Sequence, residues 1–191
     1  MTYARERLTL LPWAVIPPAL YMLSRGPNEA FDGWILAFIY AAVFQLRAID
    51  DFYCFSYDKE RGANAHYLNE APTRLIPWIA SLSLAASLAA FFAMPIAEFF
   101  ATLIFFAAHP PVYRLMQRRR GLLAVSLAKY PFLMFLVASL NARPEYLWPA
   151  LGTVFFLARE GAEELFGIRR AYVEVGVVGS LIVTRLIDQT S

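Results

Sequence analysis

The sequence contains one cysteine, Cys54, and only two histidines, His66 and His109. A single cysteine excludes an internal disulfide and any zinc or iron–sulfur site that needs several thiolates. The two histidines lie far apart, and we expect them to be loop or helix-end residues rather than ligands. A metal centre built from thiolates or imidazoles is therefore not expected.

The chain also lacks long linkers, low-complexity tracts and obvious internal repeats, which predicts a single domain over residues 1–191. Its net charge is only +2, and the cations are dispersed rather than gathered into a patch that follows phosphates. Nucleic-acid binding is therefore not expected. No typical signal region precedes the first apolar segment, and no small-residue cleavage site follows it, so we expect that segment to be retained.

Apolar residues dominate what is present. Hydrophobic residues make up 59% of the chain and the mean hydropathy is +0.49, whereas apolar usage in soluble domains is about 45–50%. We therefore predict an all-α integral membrane protein, a polytopic bundle of about seven transmembrane helices, most near the roughly 17–25 residues that a spanning helix needs. The predicted spans are Leu8–Ser24, Gly33–Ile49, Leu75–Met94, Ile96–Val112, Gly121–Leu140, Tyr146–Ala158 and Tyr172–Ile187.

The basic residues predict the orientation, because Lys and Arg are retained on the cytoplasmic side of a membrane. With the N-terminus in the cytoplasm, 13 of the 17 basic residues lie inside, three lie outside and one, Lys129, lies within a span. We therefore expect a protein of the cytoplasmic (inner) membrane. Two acidic clusters then fall on the cytoplasmic face.

The first acidic cluster is Asp50, Asp51 and Asp58, at the end of the second span. On a helix, positions 50, 54 and 58 lie one turn apart on one face, and positions 51 and 58 also share a face. The three carboxylates could therefore jointly hold a divalent cation that presents a diphosphate. The alternative is purely structural. In that interpretation Arg47 pairs with Asp50 and Asp51 across one helical turn, and Asp58 is solvated.

The second acidic cluster is Glu160, Glu163 and Glu164, which share one helical face at the cytoplasmic end of the sixth span. Acids spaced in this way either converge on a cation or pair with Arg159 or Arg170.

Lys129 lies about 12 Å into the fifth span at 1.5 Å rise per residue. A lysine at that depth either forms an internal ion pair, extends its amine to the interface, or binds a ligand inside the bundle, such as the diphosphate.

Two acidic helix ends on one face of a helix bundle resemble the UbiA superfamily of intramembrane prenyltransferases. Its first motif has the form Asn/Asp-Asp-x-x-Asp-x-x-x-Asp, and here Asp50, Asp51 and Asp58 match three places while Cys54 replaces the middle aspartate. The run at 46–52 is similar to the lead-in of short bacterial members. The segment 109–114 loosely resembles the family's Tyr-Pro-x-x-Lys-Arg sequence, keeping the proline and the arginine.

This resemblance implies transfer of an isoprenyl group from its diphosphate to a lipophilic or aromatic acceptor, with Mg²⁺ as the cofactor. The implied catalytic residues are Asp50, Asp51 and Asp58. The implied metal ligands are Asp50, Asp51, Asp58, Glu160, Glu163 and Glu164. The residues implied to bind the diphosphate are Arg47, Lys59, Arg61, Arg114 and Lys129.

A second hypothesis is a catalytically inactive UbiA-like bundle. It would bind a lipid, quinone or pigment, or serve as an accessory subunit beside other membrane proteins. Cys54 favours this hypothesis because a soft thiol suits magnesium poorly. The helix count also favours it, since members of the superfamily usually have nine helices and seven are predicted here. A transporter or another role is the third alternative.

Overall fold

The fold is seen in a computed structural model of the chain. It describes residues 10–25, 29–60, 66–69, 71–115, 119–142 and 146–154. Only the backbone is described at 10–14, 57–58, 66–67 and 119–128. These residues form helices joined by short turns, and no strand occurs among them, which confirms the all-α class for the described part of the chain.

The helices follow the apolar segments of the sequence. They are α1 (Leu10–Ser24), α2 (Gly33–Tyr53), α3 (Phe55–Glu60), α4 (Ile76–Ala93), α5 (Ile96–Leu115) and α6 (Arg119–Ser139). Two 3₁₀ turns, His66–Asn69 and Pro72–Leu75, precede α4, and residues 147–154 are also helical. Helix α2 continues beyond its apolar segment, so its last turn carries acidic residues. The last predicted span lies outside the described residues.

Among the described residues, two helical stretches are long and apolar enough to cross a membrane. The 18-residue window has a mean hydropathy of 1.9 in Pro72–Ala93 and of 1.3 in Ile96–Leu115, and 22% of each window is buried. Exposed large side chains include Leu88 and Phe92 of α4 and Ile104 of α5. Val15–Ser24 and Lys129–Ser139 are shorter apolar helices. These helices support association with a membrane.

The described residues fall into two compact units. Unit 1 contains Gly33–Ser126, and unit 2 combines Leu10–Asp32 with the described residues from Leu127 onward. The boundary between them falls inside α6. The prediction of one domain over residues 1–191 stays a prediction.

In unit 1 the main packing partner of α2 is α4. Three buried alanines of α4, Ala86, Ala89 and Ala90, allow this approach because small side chains let two helix backbones come close. Across the same interface Gln45 Nε2 donates a hydrogen bond to Ser83 Oγ at 2.8 Å. The two helices are therefore held by both apolar and polar contacts.

The helices of unit 1 alternate in direction. At one end the Trp34 ring near the start of α2 lies 4.9 Å from the Phe92 ring near the end of α4. At the other end Ile49 of α2 packs with Tyr113 of α5, and Ile79 from the start of α4 packs against that pair. The last turns of α2 and α5 therefore meet the first turns of α4.

Unit 2 is held together by close packing between helices and by hydrogen bonds between its connections. A Cβ atom added at Gly152 would lie 2.8 Å from Met134 Sδ and 3.2 Å from Leu23 Cδ1, so three helices meet there. Asn141 Nδ2 donates to the Ser24 carbonyl at 2.9 Å, and the Ala142 N–H donates to Glu29 Oε1 at 2.7 Å. The residues that follow α6 thus contact the end of α1 and the connection between α1 and α2.

Candidate functional site

The last turn of α2 carries two buried carboxylates. Asp50 is 5% exposed and Asp51 is 2% exposed. Burial of a carboxylate is costly, and the negative end of the helix dipole raises this cost at a helix C-terminus. Asp50–Cys54, called the acidic turn below, is therefore a place where positive charge is favoured.

Arg47 supplies positive charge to one of the two acids. Its Nη2 lies 3.2 Å from Asp51 Oδ1, across one helical turn. The arginine side chain is 20% exposed and that of Asp51 is 3% exposed, so the carboxylate is the buried partner. The predicted structural pairing is therefore present for Asp51.

The helix is interrupted at Cys54. The Cys54 N–H still donates to the Asp50 carbonyl at 2.8 Å, but α2 ends at Tyr53 and α3 begins at Phe55. The hydrogen bond keeps Cys54 one turn after Asp50, and the interruption lies between this turn and the helix that carries Asp58. Cys54 is partly buried and packs against Ile49 and Tyr113. A thiol suits this apolar contact because free cysteine behaves as a small hydrophobic residue.

A column of aromatic rings lies along α5 next to the acidic turn. Tyr113 is fully buried, and its ring stacks on Tyr53 with 5.3 Å between centroids and 9° between planes. The His109 ring lies 5.3 Å from Tyr113, and the Phe105 ring lies 4.9 Å from His109. The Tyr113 hydroxyl has no hydrogen-bond partner among the described residues. This column joins α5 to the end of α2.

Sequence reasoning did not assign this column to the site. His109 was expected at a helix end, but it is 4% exposed and lies within α5. The available signal was the spacing of His109 and Tyr113, which are four residues apart in an apolar helix and so share one face. Both belong to the segment 109–114, which was compared with the family's Tyr-Pro-x-x-Lys-Arg sequence.

The other predicted site residues are placed as follows. Lys59 is exposed in α3, and Asp58 lies in the same helix, where only its backbone is described. Arg114 is exposed at the end of α5. Lys129 is buried in the part of α6 that belongs to unit 2, with Nζ 5.3 Å from the centroid of the Tyr130 ring. The predicted residues outside the described part are Arg61, Glu160, Glu163 and Glu164.

The carboxylate, imidazole and thiol groups of the described residues restrict the kind of metal site that they can form. Within the described residues, no three acidic, histidine or cysteine side chains form a group that could hold a metal ion. Magnesium, however, is usually bound by one or two carboxylates, with phosphate oxygens and water completing its shell. Asp50 and Asp51 are two such carboxylates, of which Asp51 already pairs with Arg47, and a substrate would have to supply the remaining ligands.

Comparison with known proteins gives no match, whether with family models, with curated proteins or with solved structures. Membership of the UbiA superfamily therefore stays a prediction from the motifs in the sequence.

Proposed function

We propose that this protein is a UbiA-like membrane prenyltransferase that moves an isoprenyl group from a prenyl diphosphate to a lipophilic or aromatic acceptor. In this proposal the chain is a seven-span bundle of the inner membrane with its N-terminus and the acidic turn on the cytoplasmic side. The observation that carries the proposal is the burial of Asp50 and Asp51 side by side at the end of an apolar helix. Such acids mark functional sites because the membrane interior disfavours them.

The basic residues at this end of unit 1 suit a polyanionic ligand. Arg47 is held by Asp51, Lys59 is exposed in α3, and Arg114 follows Tyr113, whose ring stacks on the acidic turn. Asp50 and Asp51 would hold Mg²⁺, which neutralises the departing diphosphate when bound. The basic side chains would orient the diphosphate oxygens. The carbon–oxygen bond to the diphosphate breaks, a bond to the acceptor forms, and the acceptor loses a proton.

A second candidate function is an accessory subunit without catalysis. The apolar packing of Cys54 favours the accessory role. In the UbiA motif this position is the middle aspartate, whereas here a cysteine makes a hydrophobic contact. In this case the bundle and its exposed apolar helices would serve assembly within a larger membrane complex.

Calorimetric titration of the purified protein with a long-chain prenyl diphosphate, with and without Mg²⁺, distinguishes the two functions. Catalysis requires magnesium-dependent binding, and Asp50→Asn should weaken it by about tenfold or more, because a charged ligand to the metal is lost. Glu98→Gln is the matched control, since Glu98 lies in the first turn of α5, at the other end of that helix. Absence of binding in the wild type would reject the transferase and favour the accessory subunit.

A further inference from the structure

The acidic turn is flanked on both sides by contacts to one residue of α5. Ile49, directly before Asp50, packs with Tyr113, and Tyr53 stacks on the Tyr113 ring at 5.3 Å. Cys54 packs against the same Ile49–Tyr113 pair. The two carboxylates thus lie between residues that are anchored on Tyr113.

We propose that Tyr113 is a positioning residue for the acidic turn, and that its ring holds Asp50 and Asp51 where they would bind the metal that neutralises the diphosphate. The role in ligand binding rests on the proposed function, whereas the anchoring of the turn does not.

An anchor is needed at this point because helix ends fray and their last carbonyls lack partners within the helix. Acidic residues increase this tendency, since they are unfavourable at a helix C-terminus. In an active site, a shift of about 1 Å in a metal-binding carboxylate lowers the reaction rate substantially. Contacts from another helix are therefore needed to hold the acidic turn in place.

Tyr113 is suited to this role because it is itself immobilised. It is fully buried, and His109 lies against it on its own helix. The contacts with α2 are made by the ring, while the hydroxyl has no hydrogen-bond partner among the described residues. The ring rather than the hydroxyl should therefore be required, so phenylalanine should replace tyrosine without loss of the anchor.

Cys54 provides a direct measure of this anchoring, because it is the only cysteine in the chain and is partly buried in the contact. Its alkylation by a maleimide should become faster when the turn opens, because opening exposes more of a side chain that is partly covered in the folded protein. Tyr113→Leu should raise the labelling rate by about tenfold, which corresponds to ~1.4 kcal/mol for a lost aromatic pair. Tyr113→Phe should label at the wild-type rate.

Two further variants complete the experiment. Tyr53→Leu removes the other ring of the stack and should raise the labelling rate as Tyr113→Leu does. If Tyr113→Leu does not fold, Tyr53→Leu tests the proposal in its place. Tyr40→Leu is the matched control, because Tyr40 lies in the middle of α2, where its ring contacts Phe44. It should leave the labelling rate unchanged. A wild-type labelling rate in folded Tyr113→Leu or Tyr53→Leu would overturn the proposal.

The same variants are then titrated with a long-chain prenyl diphosphate and Mg²⁺. Tyr113→Leu should weaken binding by about tenfold, and Tyr113→Phe should restore wild-type affinity. Unchanged affinity despite faster labelling would overturn the positioning role. Absence of binding in the wild type would instead reject the proposed function, and the labelling rates alone would then decide whether Tyr113 anchors the turn.

Discussion

The polar groups of the two units are used in different ways. In unit 2 they tie neighbouring loops together, as when Glu29 accepts from the Ala142 N–H and Asn141 donates to the Ser24 carbonyl. In unit 1 two carboxylates are buried at a helix end, beside an arginine and a stack of rings. The first arrangement stabilises chain connections, whereas the second places two like charges next to each other at a helix end. Unit 2 also buries one charged residue, Lys129.

The same contrast holds for the ion pairs. Arg25 and Glu29 are separated by 3.3 Å with side chains 11% and 22% exposed. Asp51, which pairs with Arg47, is far less accessible to water at 3%. Because water screens exposed charges, the pair in unit 1 should matter more for folding.

The largest expected effect comes from Arg47→Met. It removes the cation from a buried carboxylate and should lower the free energy of unfolding by about 3 kcal/mol. Arg25→Met is the matched variant in unit 2 and should cost about 1 kcal/mol or less. Denaturant titration in detergent, followed by circular dichroism, measures both. Equal losses in the two variants would remove the distinction between the units.

The next effect tests the close packing of unit 2. Gly152→Ala places a methyl group against Met134 and Leu23, and we expect a loss of about 1–2 kcal/mol, because overpacking outweighs the gain in helix propensity. Gly33→Ala is the control, since Gly33 is exposed at the start of α2. It should be neutral or stabilising. A stable Gly152→Ala protein would show that Met134 rearranges without cost.

A pair of tyrosines sharpens the comparison further. Tyr21 of unit 2 accepts a hydrogen bond from the Asp32 N–H at 2.8 Å, so Tyr21→Phe should cost about 1 kcal/mol. Tyr113→Phe should be neutral or stabilising, because the buried hydroxyl of Tyr113 has no partner among the described residues. Thermal unfolding of the two variants, measured in parallel, compares their changes in stability. A larger loss for Tyr113→Phe would reveal a bond made by that hydroxyl.

The smallest effect concerns Glu29→Gln. The amide still accepts from the Ala142 N–H, but the ion pair with Arg25 is lost, so we expect a change of about 0.5 kcal/mol. High salt should abolish even this difference, since salt screens partly exposed charges. Unfolding at low and at high ionic strength checks both statements. A difference that persists at high salt would indicate a role for Glu29 beyond the ion pair.

Much of the local structure could be predicted from the sequence. Apolar segments such as Gly33–Ile49 and Ile96–Val112 coincide with α2 and α5, because hydropathy is a property of consecutive residues. The helix ends were less predictable. Helix α2 continues through Asp50 and Asp51 to Tyr53, since contacts with α5 stabilise a turn that composition alone assigns to the membrane surface.

The candidate site was predicted in part. The spacing of Arg47 and Asp51 indicated their ion pair, because residues four apart meet on a helix. Tyr113 was not assigned a role, since no local pattern reveals which ring of α5 meets α2. The hydrogen bond from Gln45 to Ser83 was missed for the same reason.

The sequence by itself determined the apolar helices and placed acids at the end of one of them, because both features depend only on residues that are neighbours in the chain. Only the tertiary structure decided that these acids are buried and that Tyr113 lies against the turn that carries them. Burial and ring stacking arise where helices that are distant in the sequence meet. The packing of these helices selects one arrangement among the many that the sequence pattern allows.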